Sequence, residues 1–274
     1  MTQCLNPDCL QVNQAQTKFC VSCGEKLVLR ERYRPLKIIG QGGFGRTFQA
    51  VDEDKPSKPF CVIKQFFPQA QGTKNLEKAA KLFAQEAERL DGLGRHSQIP
   101  ELLAYFTQDN RQYLVQEFID GQNLKQELEE SVAFSENQIL ELLKSLLPVL
   151  EFIHSQQIIH RDIKPENIIR RREDNQLVLV DFGAAKYATM TALARTGTVI
   201  GSAGYVAPEQ SVGRASFASD IYSLGVSCIY LLTQVEPFDL FDVSENDWVW
   251  RDYLPSNVSN ELGEILDKMI IGAT

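Results

Sequence analysis

The spacing of the apolar residues changes part-way along the chain, near Asp120. Before this point, short stretches rich in β-branched and aromatic residues are separated by Gly and Pro, which is typical of strands. After it, apolar residues recur every three or four positions, which is typical of helices packed on a core. Strands followed by helices predict an α+β fold with two lobes, and a cleft between such lobes is the expected ligand site.

The predicted elements divide the chain into a short prefix and a larger domain. Strands are expected in the first lobe at 33–39, 47–51, 60–64, 102–106 and 112–118, with a helix around 76–90. A long helix is expected around 139–153 in the second lobe. We therefore assign residues 1–29 to the prefix, 33–119 to the first lobe and 120–274 to the second.

The charge and hydropathy of the chain argue against several classes of protein. With 28 Lys and Arg against 36 Asp and Glu, the net charge is −8, which disfavours a protein that mainly binds nucleic acid or an anionic membrane. The longest apolar run, Ile221 to Leu232, is too short to span a bilayer, and the first residues lack the pattern of a secretory signal. We expect a cytoplasmic chain with no membrane segment up to Thr274.

Most of the cysteines lie at the start of the chain, in C-x4-C and C-x2-C pairs formed by Cys4, Cys9, Cys20 and Cys23. Paired thiolates on short loops are typical of a structural zinc site, and so short a segment needs such a staple because it cannot bury a core. Zinc is the first interpretation, in a zinc-ribbon-like prefix. Two disulfides, a thiol redox device and an unliganded tail are the alternatives, although a reducing cytoplasm disfavours disulfides.

The prefix is expected to be separable from the larger domain. The first strand of that domain begins only near Tyr33, so removal of the residues before Arg30 should leave it folded. The remaining cysteines, Cys61 and Cys228, stand alone in apolar surroundings and are expected to be buried as small hydrophobic side chains.

A glycine-rich run, Gly40 to Gly45, matches the pattern G-x-G-x-x-G. In a dinucleotide-binding loop a helix should follow the glycines, but the residues from Arg46 to Val51 are strand-like. The run is therefore expected to lie between two antiparallel strands, where bare backbone amides can cover a triphosphate. A plain hairpin without a ligand is the alternative.

Three further motifs follow in the second lobe. His160–Asn167 contains H-R-D-x-K-x-x-N, Asp181–Gly183 reads D-F-G, and Ala207–Glu209 reads A-P-E. Together with the glycine-rich run, these motifs resemble the protein kinases, and specifically the bacterial Ser/Thr kinases of eukaryotic type. The resemblance covers the chain from about Tyr33 onward, and the cysteine prefix is similar to that of cyanobacterial kinases with four leading cysteines.

The resemblance implies roles for individual residues in phosphoryl transfer. Lys64 would hold the α- and β-phosphates of ATP, with Glu86 as its ion-pair partner. Asp162 would be the catalytic base, and Lys164 would neutralise charge on the γ-phosphate. Residues that would bind nucleotide or Mg²⁺ are Gly40, Gln41, Gly42, Gly43, Phe44, Gly45, Thr47, Val62, Lys64, Glu117, Ile119, Asn167 and Asp181. Among these, Asn167 and Asp181 would be the Mg²⁺ ligands.

The implied function is an ATP- and Mg²⁺-dependent protein Ser/Thr kinase, because Asp-Ile-Lys-Pro-Glu-Asn resembles the Ser/Thr version of the catalytic loop. Its partners would be ATP and protein substrates, with self-association for autophosphorylation as a further expectation. Arg161 could pair with a phosphothreonine of the activation segment, which offers Thr189, Thr191, Thr196 and Thr198. The alternatives are a nucleotide-binding pseudokinase that acts as a scaffold, and a prefix that serves as a redox switch or binds a partner.

Three features depart from the family pattern. Thr47 and Val62 replace the usual valine and alanine in the adenine pocket. The second lobe is expected to be incomplete at its C-terminal end, which would leave Glu209 without its arginine partner. The isolated histidines His96 and His154 receive no role, and His160 is expected to pack rather than to transfer protons.

Overall fold

The computed structural model describes residues 1–42, 45–67, 73–184, 186–187, 202–242, 244–245 and 247–272. The chain forms two compact units. The first unit comprises Met1–His96 and Pro100–Phe118, and the second comprises Ser97–Ile99 and Ile119–Thr274. The prefix therefore belongs to the same compact unit as the predicted strands of the first lobe.

The first unit is built on a five-stranded antiparallel sheet with the strand order β3-β4-β5-β7-β6. Its elements are β1 (Thr2–Gln3), β2 (Val12–Asn13), β3 (Tyr33–Gly42), β4 (Gly45–Asp52), β5 (Phe60–Phe66), α1 (Thr73–Leu93), β6 (Leu102–Gln108) and β7 (Arg111–Glu117). All five strands and the helix predicted for the first lobe are present. The strands β1 and β2 form a separate small hairpin in the prefix.

Alternate residues of each strand point to opposite faces of the sheet, so the two faces are covered by different parts of the chain. On one face, the buried side chains of β4 and β5 form a core cluster with residues of the prefix and of β6 and β7. The members of this cluster are Leu5, Leu29, Tyr33, Phe48, Ala50, Cys61, Ile63, Phe106, Tyr113 and Val115. On the other face, helix α1 packs Phe83 against Phe66, with ring centroids 5.4 Å apart.

The second unit is mostly helical. Its helices are α2 (Leu124–Glu130), α3 (Glu136–Ser155), α4 (Pro208–Ser211), α5 (Phe217–Thr233) and α6 (Asn260–Met269). Its strands are β8 (Gly121–Asn123), β9 (Ile158–Ile159), β10 (Ile168–Arg171), β11 (Leu177–Leu179), β12 (Lys186–Tyr187), β13 (Phe241–Asp242) and β14 (Asp247–Trp248). Short 3₁₀ turns lie at Pro165–Asn167, Phe182–Ala184, Pro237–Leu240 and Trp250–Tyr253.

Helices α3 and α5 supply most of the core of the second unit. Helix α3 begins with a capping box in which Ser135 and Gln138 satisfy each other's backbone amides, and it continues through Pro148. Its predicted apolar stripe is buried. Helix α5 is buried over nearly its whole length. No helix of the described residues is both long enough and apolar enough to cross a membrane.

Candidate active site and cysteine cluster

The four cysteines of the prefix converge on one point. The Sγ atoms of Cys4, Cys9, Cys20 and Cys23 all lie within 4.8 Å of one another, and none is bonded in a disulfide. The Cys4–Cys23 and Cys9–Cys20 sulfur pairs are each 3.7 Å apart. Around a tetrahedral zinc ion with Zn–S distances of about 2.3 Å, neighbouring sulfurs would be about 3.8 Å apart. The donor set and its spacing therefore fit a closed tetrahedral metal site.

The local backbone supports this arrangement. Gly24, directly after the second pair, has φ +75°, a conformation that side-chain-bearing residues rarely adopt, and its amide donates to Cys20 O. Burial raises the pKa of the Cys20 thiol, but backbone amides of Cys23 and Ser22 outweigh it by donating to the sulfur, and the pKa falls to about 6. Amides that favour a thiolate also favour a metal-bound sulfur. Burial raises the pKa of Cys4, which a bound cation would oppose.

The glycine-rich run forms a hairpin between β3 and β4. Gly40 lies opposite Thr47, Gln41 opposite Arg46, and Gly42 opposite Gly45. Strand β4 and not a helix follows the glycines, which confirms the expected position between two antiparallel strands and excludes a dinucleotide-binding loop. A Cβ atom on Gly45 would lie 1.9 Å from Gln65 O, so no larger residue fits there. The residues at the tip, Gly43 and Phe44, lie outside the described residues.

Lys64 and Glu86 form an ion pair in the first unit. Lys64 Nζ lies 2.5 Å from Glu86 Oε1. The side chain of Lys64 is 15% exposed and that of Glu86 is 5% exposed, so water screens the pair little. Lys64 lies on β5 opposite Thr47 of the glycine hairpin, and Glu86 lies on α1. The structure therefore brings together two of the predicted catalytic residues.

The predicted nucleotide-binding residues Glu117 and Ile119 lie on either side of the boundary in sequence between the two units. Gln116 is buried and lies opposite Val62 in the register of β5 and β7. Glu117 ends β7, where its amide donates to Glu101 O. Ile119 is buried and is the first residue after the boundary.

The predicted catalytic loop forms a network of hydrogen bonds around Asp162. One carboxylate oxygen accepts from Ser202 Oγ at 2.8 Å, and the other accepts from Asn167 Nδ2 at 2.9 Å. The Lys164 ammonium donates to Ser202 Oγ at 2.5 Å and lies 3.7 Å from the Asp162 carboxylate. An ammonium, an amide and a hydroxyl thus meet around one partly exposed carboxylate. This arrangement can accept a proton from a hydroxyl and offset negative charge beside it.

The backbone of this loop is held by a fully buried carboxylate. Asp220 accepts hydrogen bonds from the amides of His160 and Arg161, both at 2.8 Å. Arg161 has φ +72°, a strained conformation for a residue with a side chain. Gln210 Nε2 donates to Arg161 O at 2.7 Å. The loop is therefore fixed on both sides of the strained residue.

Comparison with known proteins identifies the family. Residues 33–271 match the family model described as "Protein kinase domain". The chain belongs to the protein kinase family. The expected α+β kinase fold is confirmed.

Similar curated proteins come from cyanobacteria. Serine/threonine-protein kinase B of Synechocystis is 41% identical, over 98% of this chain and 48% of its own length. Serine/threonine-protein kinase F of the same organism is 40% identical, over 98% of this chain and 59% of its own. Serine/threonine-protein kinase PknA of Nostoc is 41% identical, over 89% of this chain and 44% of its own. The chain spans about half the length of these relatives.

The kinase motif Asp181–Gly183 follows β11. Phe182 is buried, and its ring meets the edge of His160 at 4.7 Å between centroids. His160 Nδ1 accepts from the Asp162 amide, while Nε2 lies 3.2 Å from Val180 O. Burial lowers the pKa of His160, which keeps the ring neutral. His160 therefore packs and positions the loop, and Asp181 is placed directly before the buried phenylalanine.

Sequence reasoning missed His154, which we had given no role. Its Nε2 lies 2.8 Å from the Asp220 carboxylate that holds the kinase loop. The residue lies six positions before the motif that begins at His160, and its position in the last turn of α3 gave no signal by itself. No pattern in the sequence marks this contact, because it joins residues 66 positions apart.

Two other expectations concern the segment between Asp181 and Glu209. Glu209 accepts a hydrogen bond from Ser219 Oγ at 2.5 Å, so a serine of α5 contacts this carboxylate. The candidate phosphorylation sites Thr189, Thr191, Thr196 and Thr198 lie outside the described residues.

Proposed function

We propose that this chain is an ATP- and Mg²⁺-dependent protein kinase that phosphorylates Ser and Thr hydroxyls of proteins. The observation that carries the proposal is the network at Asp162, where Ser202, Asn167 and Lys164 converge on one carboxylate. Membership of the kinase family and the names of the cyanobacterial relatives support the same reaction.

In the proposed mechanism, residues of the second unit act on the substrate hydroxyl and the metal. Asp162 accepts the hydroxyl proton as the oxygen attacks the γ-phosphate, and Lys164 offsets negative charge on the transferred group. Asn167 and Asp181 offer the hard oxygen ligands that Mg²⁺ prefers. Ser202 holds Asp162 and Lys164 together, which keeps the base in one orientation.

In this proposal, the nucleotide is bound by the glycine hairpin, β5, α1 and the residues around the end of β7. Lys64 contacts the α- and β-phosphates, and Glu86 keeps its ammonium in place. The backbone amides of the glycine hairpin cover the phosphates, as its antiparallel geometry allows. Glu117 and Ile119 would contact adenine through backbone groups, with Thr47 and Val62 lining the base.

Asp162→Asn tests the kinase proposal. The variant should bind nucleotide with unchanged affinity but lose phosphoryl transfer by a factor of about 10²–10⁴, because the amide cannot accept the proton. Mass spectrometry after incubation with ATP and Mg²⁺ measures the phosphate gained, and calorimetry measures nucleotide binding. Asp252→Asn, at an exposed aspartate of the same unit, is the matched control and should behave as the parent chain.

Two outcomes of that experiment would contradict the proposal. Phosphoryl transfer by Asp162→Asn at the parental rate would remove the assigned base. A parent chain that binds the nucleotide but gains and transfers no phosphate would be a nucleotide-binding scaffold, the pseudokinase alternative.

We also propose control by phosphorylation of the activation segment at Thr196 or Thr198. Arg161 lies next to the catalytic aspartate and is buried, so an anion placed against it would be strongly attracted. Replacement of both threonines by alanine should lower activity and remove most of the phosphate from the segment. A double variant as active as the parent would contradict this control.

For the prefix, we propose a structural zinc ion held by Cys4, Cys9, Cys20 and Cys23. Four thiolates leave no open position for a substrate, which favours a structural role. A reducing compartment keeps such thiolates free for the metal, so we propose a cytoplasmic location as well. Elemental analysis of the reduced protein should find about one zinc per chain. Two disulfides in the reduced preparation, or four titratable thiols without metal, would favour the redox interpretation.

A further inference from the structure

The loop between the first two cysteines lies against the sheet of the first unit. Leu5, next to Cys4, is 1% exposed and belongs to the core cluster of the sheet. Its carbonyl accepts a hydrogen bond of 2.8 Å from Gln65 Nε2. Gln65 is itself 1% exposed and directly follows Lys64 on β5. The cysteine loop is therefore bonded to the residue beside the proposed phosphate-binding lysine.

A second contact joins the same loop to the glycine hairpin. Pro7 O, midway between Cys4 and Cys9, accepts from Arg46 Nη1 at 3.2 Å. The Nε atom of the same guanidinium donates to Gln41 Oε1 at 3.3 Å. Arg46 thus connects the cysteine loop on one side with a residue of the glycine-rich run on the other.

The two contacts meet at one place in the sheet. Arg46 and Gln65 are directly opposite each other in the register of β4 and β5. The next pair in that register, Thr47 and Lys64, points to the opposite face because side chains alternate along a strand. A displacement of the cysteine loop would therefore act on the two strands that position Lys64 and the glycine hairpin.

We propose that Arg46 and Gln65 couple the four-cysteine site to the nucleotide-binding strands, so that metal binding and nucleotide binding strengthen each other. The inference rests on the proposed zinc site and the proposed nucleotide site. A metal ion fixes Cys4 and Cys9, and thereby holds Leu5 and Pro7 where the two side chains reach their carbonyls. Without the metal, the loop loses both anchors, because the prefix has little core of its own.

Linkage makes this proposal measurable from both directions. If the metal improves nucleotide affinity by some factor, the nucleotide must improve metal affinity by the same factor. The full chain is titrated with a non-hydrolysable ATP analogue and Mg²⁺, once loaded with zinc and once freed of zinc by a chelator. Zinc affinity is then measured against a chromophoric chelator with and without the analogue. Both ratios should agree and should be at least about fivefold.

Variants that keep all four cysteines test the route of coupling. Arg46→Gln and Gln65→Met should still bind one zinc ion, but the coupling factor should fall towards one. Lys55→Gln is the matched control. Lys55 is an exposed residue in the turn that joins the same two strands, β4 and β5, so its loss should leave the coupling factor unchanged. Circular dichroism of each variant shows whether the fold is kept.

The possible results distinguish a failure of the coupling from a failure of the proposed zinc site or of the proposed kinase function. Equal nucleotide affinity with and without zinc, in a chain that binds both, would overturn the coupling alone. A coupling factor that survives in both Arg46→Gln and Gln65→Met would overturn the assigned route. A chain that binds no zinc would overturn the metal site and the coupling with it, while a zinc-loaded chain that binds no nucleotide would overturn the kinase proposal as well.

Discussion

The two faces of the five-stranded sheet carry different kinds of interaction, an ion pair on one and an apolar cluster on the other. The face that carries Lys64 holds an ion pair with Glu86 of α1. The opposite face carries Phe48 and Ile63, which are fully buried in a cluster that includes Leu5 of the prefix. One strand, β5, contributes alternately to both faces. The position of the proposed catalytic lysine therefore depends on packing that occurs on the other side of its strand.

The two faces also differ in what they contribute to stability. Burial of a large apolar side chain stabilises a fold by about 1.5–3 kcal/mol. A buried ion pair contributes little net stability, because the attraction is offset by the loss of hydration. We call the face covered by Leu5 and Leu29 the prefix face and the face covered by α1 the helix face. We expect the prefix face to contribute most of the folding stability and the helix face to contribute to phosphoryl transfer.

Deletion of residues 1–29 should have the largest effect. It removes Leu5 and Leu29 and exposes Phe48, Ala50 and Ile63, which are each at most 2% exposed in the full chain. The summed loss of burial approaches the whole stability of a typical domain, about 5–15 kcal/mol. The first unit should therefore unfold or melt far below the full chain, as measured by thermal denaturation monitored by circular dichroism.

This prediction reverses the expectation drawn from the sequence, in which the larger domain folds without its prefix. The sequence showed where the first strand begins but not what covers the sheet. A deletion variant with the melting temperature of the zinc-loaded full chain would restore the earlier expectation and leave the prefix face without a role in folding.

Leu5→Ala should have the next largest effect. Replacement of a fully buried leucine by alanine typically costs about 2–5 kcal/mol, from lost burial and the cavity left behind. Val21→Ala is the control, because Val21 lies in the same prefix but is 77% exposed. It should change stability by no more than about 0.5 kcal/mol. Urea denaturation of the zinc-loaded chains measures both values, and equal effects would show that Leu5 is not part of a common core.

Glu86→Gln probes the helix face and should affect stability less than activity. The amide oxygen can still accept from Lys64, but the ammonium loses its counter-charge. Because Lys64 is 15% exposed and keeps some hydration, we expect a cost of about 1–3 kcal/mol, below the roughly 3–5 kcal/mol typical of a fully buried pair that loses one partner. Phosphoryl transfer should fall at least about tenfold, because Lys64 loses the charge that orients it.

Glu88→Gln, at an exposed glutamate of the same helix, is the control for the helix face. It should change neither the urea midpoint nor the rate of phosphoryl transfer. If Glu86→Gln destabilised the chain as much as Leu5→Ala, the proposed division between a folding face and a chemical face would be wrong.

Much of the fold and site could be predicted because the relevant signals are local. Strand β5 is predicted by its short stretch of β-branched and aromatic residues, and the glycine hairpin by the fixed spacing of its glycines. The Asp162 loop is similarly contained in eight consecutive residues, His160–Asn167. The convergence of Cys4 and Cys23 was predictable because metal chemistry restricts how paired thiols can be arranged.

Other features could not be predicted because they depend on contacts between distant segments. The hydrogen bond from His154 to Asp220 joins residues 66 positions apart. The bond from Gln65 to Leu5 O joins residues 60 positions apart, and nothing in the periodicity of either segment marks it. A backbone carbonyl is present at every residue, so a contact of this kind leaves no pattern in the sequence.

The smallest effect that we expect is a change in the alkylation of the Cys61 thiol. Because Cys61 is buried under the prefix, this alkylation reports how tightly the prefix face is packed. Cys61 is fully buried in the core cluster on β5, and burial raises the pKa of its thiol to about 12. The thiolate is the reactive form, and at pH 8 a thiol with that pKa is only about 10⁻⁴ ionised, against roughly a quarter for a free cysteine of pKa 8.5. Because a raised pKa delays ionisation, raising the pH from 7 to 9 should still leave Cys61 unlabelled by iodoacetamide in the zinc-loaded chain.

Peptide mass spectrometry measures this labelling, with Cys228 as the internal control. Cys228 is also fully buried, but it lies on α5 in the second unit, whereas the prefix belongs to the first unit. Removal of zinc should begin to expose Cys61 while Cys228 stays protected, because only Cys61 lies beneath the prefix. Labelling of Cys61 in the zinc-loaded chain at the rate of a free thiol would show that the prefix opens readily. The prefix face would then be too loosely packed to hold the strand that carries Lys64.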